Sequence, residues 1–132
     1  MKYMLDTDIC IYIIKKNPSS VARTLKRHRL DDVCISSIAY AELTTGVMKS
    51  SNIFLNKAAL ITMLSGIRIL PFNAKAAEEY GAIRAELEKK GTPIGSNDML
   101  IAAHAKSLGL TLVTNNTKEF SRVTGLKVEN WS

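Results

Sequence analysis

The sequence is poor in the residues that mark secreted, metal-clustered or low-complexity proteins. It has two cysteines, Cys10 and Cys34, each among apolar neighbours, which reads as a pair of free buried thiols in a reducing compartment rather than a disulfide framework. Its two histidines, His28 and His104, stand far apart in the chain, so the clustered Cys/His ligands of a zinc site are missing. No apolar run reaches the roughly 18–20 residues that span a bilayer, and Asp6 and Asp8 interrupt the apolar start before a signal-peptide core can form. A cytoplasmic protein with no membrane segment is expected. Three prolines and seven glycines make no linker, and no repeat or low-complexity stretch divides the chain. Residues 1–132 are therefore read as one domain, long enough to bury a core without disulfide or structural metal.

Positive charge is plentiful and unevenly placed. The formal net charge is +6, and much of it lies in Lys15, Lys16, Arg23, Lys26, Arg27 and Arg29, with no acid before Asp31. Such a patch suits the phosphate backbone of a nucleic acid, and it also suits an ordinary solvated helix face. His28 falls within this basic stretch, whereas His104 lies in an apolar helical segment and reads as a packing residue.

Periodicity and breakers give an alternation of strands and helices. Residues 2–6 read as a short buried strand, followed by a helix over 8–16 capped by Thr7 or Asp8. Pro18 opens a helix to about Arg27. Val33–Ile35 is a β-branched strand, and Ser36 or Ser37 caps a helix over 38–48. Further helices are expected over 53–65, over 74–90 with a stop at Gly91, and from a cap at Ser96 or Asn97 through Ser107. Strands are expected at 67–70, 111–114 and about 126–128. This order predicts an α/β fold, a mostly parallel sheet covered on both faces. Ligands in such folds bind beyond the carboxyl ends of the strands, where the topology reverses. Asp6 and the segment Thr114-Asn115-Asn116 sit at strand ends of that kind.

Three acids stand where a soluble protein gains little from them. Asp6 closes an apolar strand, Glu42 interrupts the apolar turn Ile38–Leu43, and Asp98 begins an apolar helix. Singly, each has a structural explanation: a cap, an exposed helix residue, and a first-turn acid favoured by the helix dipole. Drawn into one cleft they would repel, at about 4 kcal/mol per pair 4 Å apart for an effective dielectric of 20. A cation among them would offset that cost. Carboxylates without Cys or His alongside suit Mg2+ or Mn2+.

Four segments in order, Met4–Asp8, Tyr40–Leu43, Ile94–Ala102 and Val113–Phe120, resemble the motifs of PIN-domain ribonucleases, and more closely those of VapC toxins of bacterial toxin–antitoxin pairs. The likeness runs from Met1 to Ser132. It implies a five-stranded parallel sheet between helices (a three-layer αβα fold) and a Mg2+- or Mn2+-dependent endoribonuclease. Carried over by position, it makes Asp6, Glu42 and Asp98 the catalytic acids, with Asp6 and Asp98 on the metal. The fourth motif departs from the family pattern, having Asn116 where an acid is usual; Glu119, three residues on, is the alternative carboxylate. Asp8 also departs, standing where Asn is common, as a cap or as an addition to the negative potential. Thr114 has either a positioning role or a purely structural one. The resemblance further implies a VapB-type antitoxin that blocks the cleft with a basic side chain. It also implies a homodimer through helices within 38–65, a toxin–antitoxin hetero-oligomer, and an RNA substrate. For the substrate it points to the anticodon stem-loop of a tRNA, with initiator tRNA first among candidates, and so to inhibition of translation and growth.

Two rivals are weighed against this reading. Asp6-Thr7-Asp8 after an apolar strand is also similar to the opening of haloacid-dehalogenase-type phosphohydrolases, but Cys10 stands where those carry Thr or Val, and Asp98 has no acid beside it. A basic RNA-binding module with a degenerate site is kept open by Asn116.

Overall fold

The structure is a computed structural model that describes residues 1–132. Five short strands, β1 (Tyr3–Leu5), β2 (Val33–Ser36), β3 (Arg68–Leu70), β4 (Thr111–Val113) and β5 (Lys127–Glu129), form one sheet in the order β3-β2-β1-β4-β5. Every pairing is parallel, with Tyr3 opposite Val33 on one side and Thr111 on the other. The inner strands read as unbroken apolar runs because both faces are covered; all four residues of β2 are buried. The outer strands carry the charge: Arg68, Lys127 and Glu129 are exposed on β3 and β5, which blunts both sheet edges.

Seven helices connect the strands: α1 (Thr7–Lys15), α2 (Ser19–Lys26), α3 (Ser37–Met48), α4 (Ile53–Leu64), α5 (Ala74–Lys90), α6 (Ser96–Ser107) and α7 (Thr117–Phe120). The chain steps from β1 to β2 to β3 in one direction, then crosses back to β4 and continues to β5. Right-handed crossovers therefore put α1–α4 on one face and α5–α7 on the other. The packing agrees, since α1 touches α2, α3 and α4, while α5 lies along α6. This is the expected three-layer α/β architecture.

Several boundaries differ from the sequence reading, each for a local reason. The cap of α1 is Asp6 itself, whose Oδ1 accepts from the Thr7 N–H at 2.8 Å, so neither Thr7 nor Asp8 serves. Pro18 is the residue before α2 rather than within its first turn. At α6 the cap position belongs to Gly95, which has no side chain to offer, and not to Ser96 or Asn97. The last strand begins one residue later than expected, at Lys127. The four-residue α7 and the 3-10 turn at Leu30–Asp32 were not anticipated, being too short to show a period.

One continuous core joins the sheet to both helical layers, with Met4, Leu5, Ile9, Ile35, Ile101, Leu112 and Phe120 fully buried. Cys10 and Cys34 are free and buried, as expected, and burial pushes both thiols well above their ordinary range. α4 is apolar apart from Asn56, Lys57 and Thr62 and buries Leu60, which leaves Phe54 87% exposed, with Leu55 and Ile61 exposed beside it. No helix is long and apolar enough to cross a membrane.

Candidate functional site

The reversal of strand order falls between β1, whose connection leads one way, and β4, whose connection leads the other. Two polar residues close these strands. Asp6 stays in the sheet through its N–H to Val113 O at 2.8 Å, and Thr114 through its N–H to Glu129 O at 2.9 Å. Both are buried, Asp6 at 4% exposure and Thr114 at 0%. The Thr114 hydroxyl donates to Asp6 Oδ2 at 2.8 Å, across the point where the neighbouring helices diverge to opposite faces. The carboxylate is thus gripped by two donors, Thr114 Oγ1 and the Thr7 amide. Even so, its pKa is pushed up to about 6: burial raises it most, the two hydrogen bonds lower it, and the charges of Asp8 and Glu42 raise it again.

Asp98 reaches the same region from the first turn of α6. It is half-buried, and its pKa rises to about 7, first through burial and then through the negative charges of Asp6, Glu119, Glu42 and Asp8. Glu42 comes from the second turn of α3, where its Oε1 accepts from Thr7 Oγ1 at 2.8 Å. The fourth corner has an internal arrangement. Asn116 donates its backbone N–H to Thr114 Oγ1 at 3.0 Å, and its side-chain Nδ2 to Glu119 Oε2. Glu119 Oε1 accepts from the Gly95 N–H at 3.3 Å, which ties α7 to the loop entering α6. Asn116 therefore orients Glu119, and Glu119 carries the charge that Asn116 lacks. Asp8 is exposed and adds to the negative potential.

None of the five ion pairs in the protein involves Asp6, Asp8, Glu42, Asp98 or Glu119. The acids share a field with no internal countercharge, so nothing offsets the rise in proton affinity that burial, and then mutual repulsion, gives Asp6 and Asp98. No three of them converge tightly enough to enclose an ion as the side chains stand. That geometry fits a small hard cation held by one or two carboxylates with water completing its shell, and it does not fit an all-protein cage. Oxygen donors alone, without thiolate or imidazole, point to the same chemistry.

The six basic residues of the sequence reading stand apart from the acids. Lys15, Lys16, Arg23, Lys26, Arg27 and Arg29 are all exposed, on the end of α1, on α2 and just beyond it. Arg29 makes a loose, exposed pair with Asp31 at 3.8 Å. The nine residues of α1 span about 13 Å from the acidic end to the basic one. A groove of about 360 Å³ between α1, α3 and α4 joins Glu42 at one end to Lys15, with Ile11, Ile14, Val47 and Leu60 along it.

His28 does not belong to the basic face. Its ring stacks on Trp131 with centroids 4.8 Å apart and planes 6° apart, and lies 4.7 Å from Tyr3. Aromatic stacking holds it against the sheet more strongly than solvation holds it out. His104 is the packing residue expected. It is 2% exposed, its Nδ1 is 2.8 Å from Ser36 Oγ, and burial lowers its pKa. The sequence reading assigns Thr7 only a cap. A hydroxyl directly after a strand-end Asp was the available signal for its hydrogen bond to Glu42.

The chain and its fold match a known family. The PIN domain model matches residues 3–126, and the chain belongs to the PIN-domain family. Its relatives set it in the VapC branch. It is 48% identical to Ribonuclease VapC2 of Rickettsia felis, covering 99% of this chain and 98% of that one. It is 46% identical to the tRNA(fMet)-specific endonuclease VapC of Shigella flexneri, covering 100% and 99%. Among solved structures, the chain superposes on the crystal structure of DNA-bound VapBC from Salmonella typhimurium with a TM-score of 0.95 and 42% identity, over 100% of this chain and 99% of that one.

Proposed function

We propose that the chain is the toxin of a VapBC-type pair, an endoribonuclease that hydrolyses phosphodiester bonds with the help of a divalent cation, Mg2+ or Mn2+. The observation that carries this is the carboxylate pair at the strand-order reversal, Asp6 and Asp98, which has no positive partner and whose proton affinities are raised first by burial and then by neighbouring negative charge. Asp6 and Asp98 would hold the cation, with Glu119, set by Asn116, as the more distant carboxylate. When bound, the cation supplies Lewis-acid polarisation of the phosphoryl oxygen and makes water nucleophilic near neutral pH. Thr114 and the Thr7 amide fix the direction in which Asp6 presents its oxygens. Glu42, with Oε1 engaged by Thr7, keeps Oε2 to orient the attacking water and take its proton. The exposed cations at the end of α1, about 13 Å from the acids along the helix axis, and those of α2 grip phosphates of the same RNA.

The relatives named for tRNA(fMet) cleavage support initiator tRNA, cut in its anticodon stem-loop, as the substrate, and inhibited translation and growth as the outcome. A tRNA substrate places the action in the cytoplasm. The VapBC complexes among its structural neighbours support a VapB-type antitoxin as partner, its basic side chain offsetting the acids and an apolar segment lying in the α1–α3–α4 groove. The exposed apolar side chains of α3 and α4 support a homodimer and its hetero-oligomer with the antitoxin.

The test is incubation of purified protein with initiator tRNA and Mg2+, with EDTA, and with Asp6→Ala and Asp98→Ala in its place. Cleavage leaving 5′-phosphate and 3′-hydroxyl ends is expected from the wild type with Mg2+ alone. Equal cleavage in every arm would identify a contaminant, binding without cleavage would favour an RNA-binding module, and 2′,3′-cyclic phosphate ends would show that the RNA supplied its own nucleophile.

A further inference from the structure

We propose that Thr7 is the positioning residue of Glu42: one short side chain couples the carboxylate of α3 to the carboxylate that ends β1. The role rests on the reading of Glu42 as the group that orients water. Thr7 donates twice, through its backbone N–H to Asp6 Oδ1 and through its hydroxyl to Glu42 Oε1, both at 2.8 Å. Glu42 is 35 residues away in sequence and receives no other hydrogen bond and no ion pair. It lies within coulombic reach of the carboxylates of Asp6 and Asp98. Left to itself, a half-buried Glu with three side-chain rotors would swing from that field into solvent; the Thr7 hydroxyl is the one attraction that holds it.

Position within the helix is what frees this hydroxyl. Thr24, Thr44, Thr45 and Thr62, all further along their helices, donate their hydroxyls back to the carbonyl four residues earlier. That is the usual use of a helical threonine. Thr7 is the first residue of α1, so no helical carbonyl lies behind it and the hydroxyl is free to reach across to α3. The β-branch leaves few χ1 choices, and the Thr7 backbone is itself fixed by the Asp6 cap. The link is stiff: the spacing between the two carboxylates is set by a single residue clamped at both ends.

The experiment compares wild type with Thr7→Val, Thr7→Ser, Glu42→Ala and the double variant Thr7→Val/Glu42→Ala. Each is assayed for kcat and KM on tRNA with Mg2+, and for urea unfolding of the metal-free protein. Loss of one hydrogen bond to a charged group lowers kcat about tenfold in Thr7→Val, with KM little changed and Thr7→Ser restored to near wild type. The double variant is no slower than Glu42→Ala alone, and the effects of the two single changes on unfolding free energy are not additive in the double. A Thr7→Val protein that cleaves at the wild-type rate overturns the role, as do multiplicative losses of kcat or additive losses of stability in the double. Glu42→Ala cleaving like wild type is a separate failure. It removes the reading of Glu42, and the role of Thr7 falls with it.

Discussion

At the scale of single residues, the site is a place where charge is kept under tension. Asp98 has an ordinary carboxyl value of 3.8 that the fold raises to about 7. The folded protein therefore holds this proton more tightly than the unfolded chain, so its contribution to stability falls as pH rises from about 4 to about 7. Replacing Asp98 with Asn removes that slope. Solvent screening at a half-exposed group limits the gain at pH 8 to about 1 kcal/mol, or about 4 °C in melting temperature. Thermal melts of metal-free wild type and Asp98→Asn at pH 4 and pH 8 provide the check. The curves should meet at low pH and separate at high pH, and parallel curves would contradict the assignment. His104 does not confuse the comparison: its depressed pKa costs stability as pH falls through about 6.5 in both proteins alike.

At the scale of elements, Ser36 carries more than a cap. Its Oγ accepts from the Ile38 N–H at 3.1 Å at the start of α3 and lies 2.8 Å from His104 Nδ1 on α6. One serine thus joins the helix that brings Glu42 to the helix that brings Asp98. Ser36→Ala should cost about 2 kcal/mol in urea unfolding, the sum of a lost cap and a buried ring nitrogen left without a partner. Asn52→Ala, at the exposed cap of α4, should cost about 1 kcal/mol or less; equal losses would mean that the bond to His104 contributes nothing. Strands, helices and the caps at Ser36 and Gly91 were legible because apolar period and breaker residues are local signals. The pairing of Asp6 with Thr114 was not, since 108 residues separate them and only the sheet order brings them together. Asp6, Glu42 and Asp98 stood out by interrupting apolar runs. Glu119 did not, because its place depends on α7, a helix too short to leave a period in the sequence.

At the scale of the whole molecule, charge is sorted by position: acids gather at the reversal of strand order, and cations lie along α1 and α2. Binding of a single-stranded or looped RNA should weaken steeply with salt. Lys26→Ala and Arg27→Ala should each lower the slope of log affinity against log salt by about 0.7 for every phosphate left without its cation. Titrations of tRNA into Asp6→Ala protein in EDTA, with and without these changes, test this; an unchanged slope would return the basic stretch to an ordinary solvated surface. The placement of β5 has a consequence in time. Glu129 anchors the backbone of Thr114, and Trp131 closes over Tyr3 and His28. A nascent chain that has emerged from the ribosome only as far as α7 possesses every acid of the site, yet lacks the strand that pins Thr114 against Asp6. The acids of the site are therefore made before the frame that aligns them, and the cleft is complete only once β5 has taken its place beside β4.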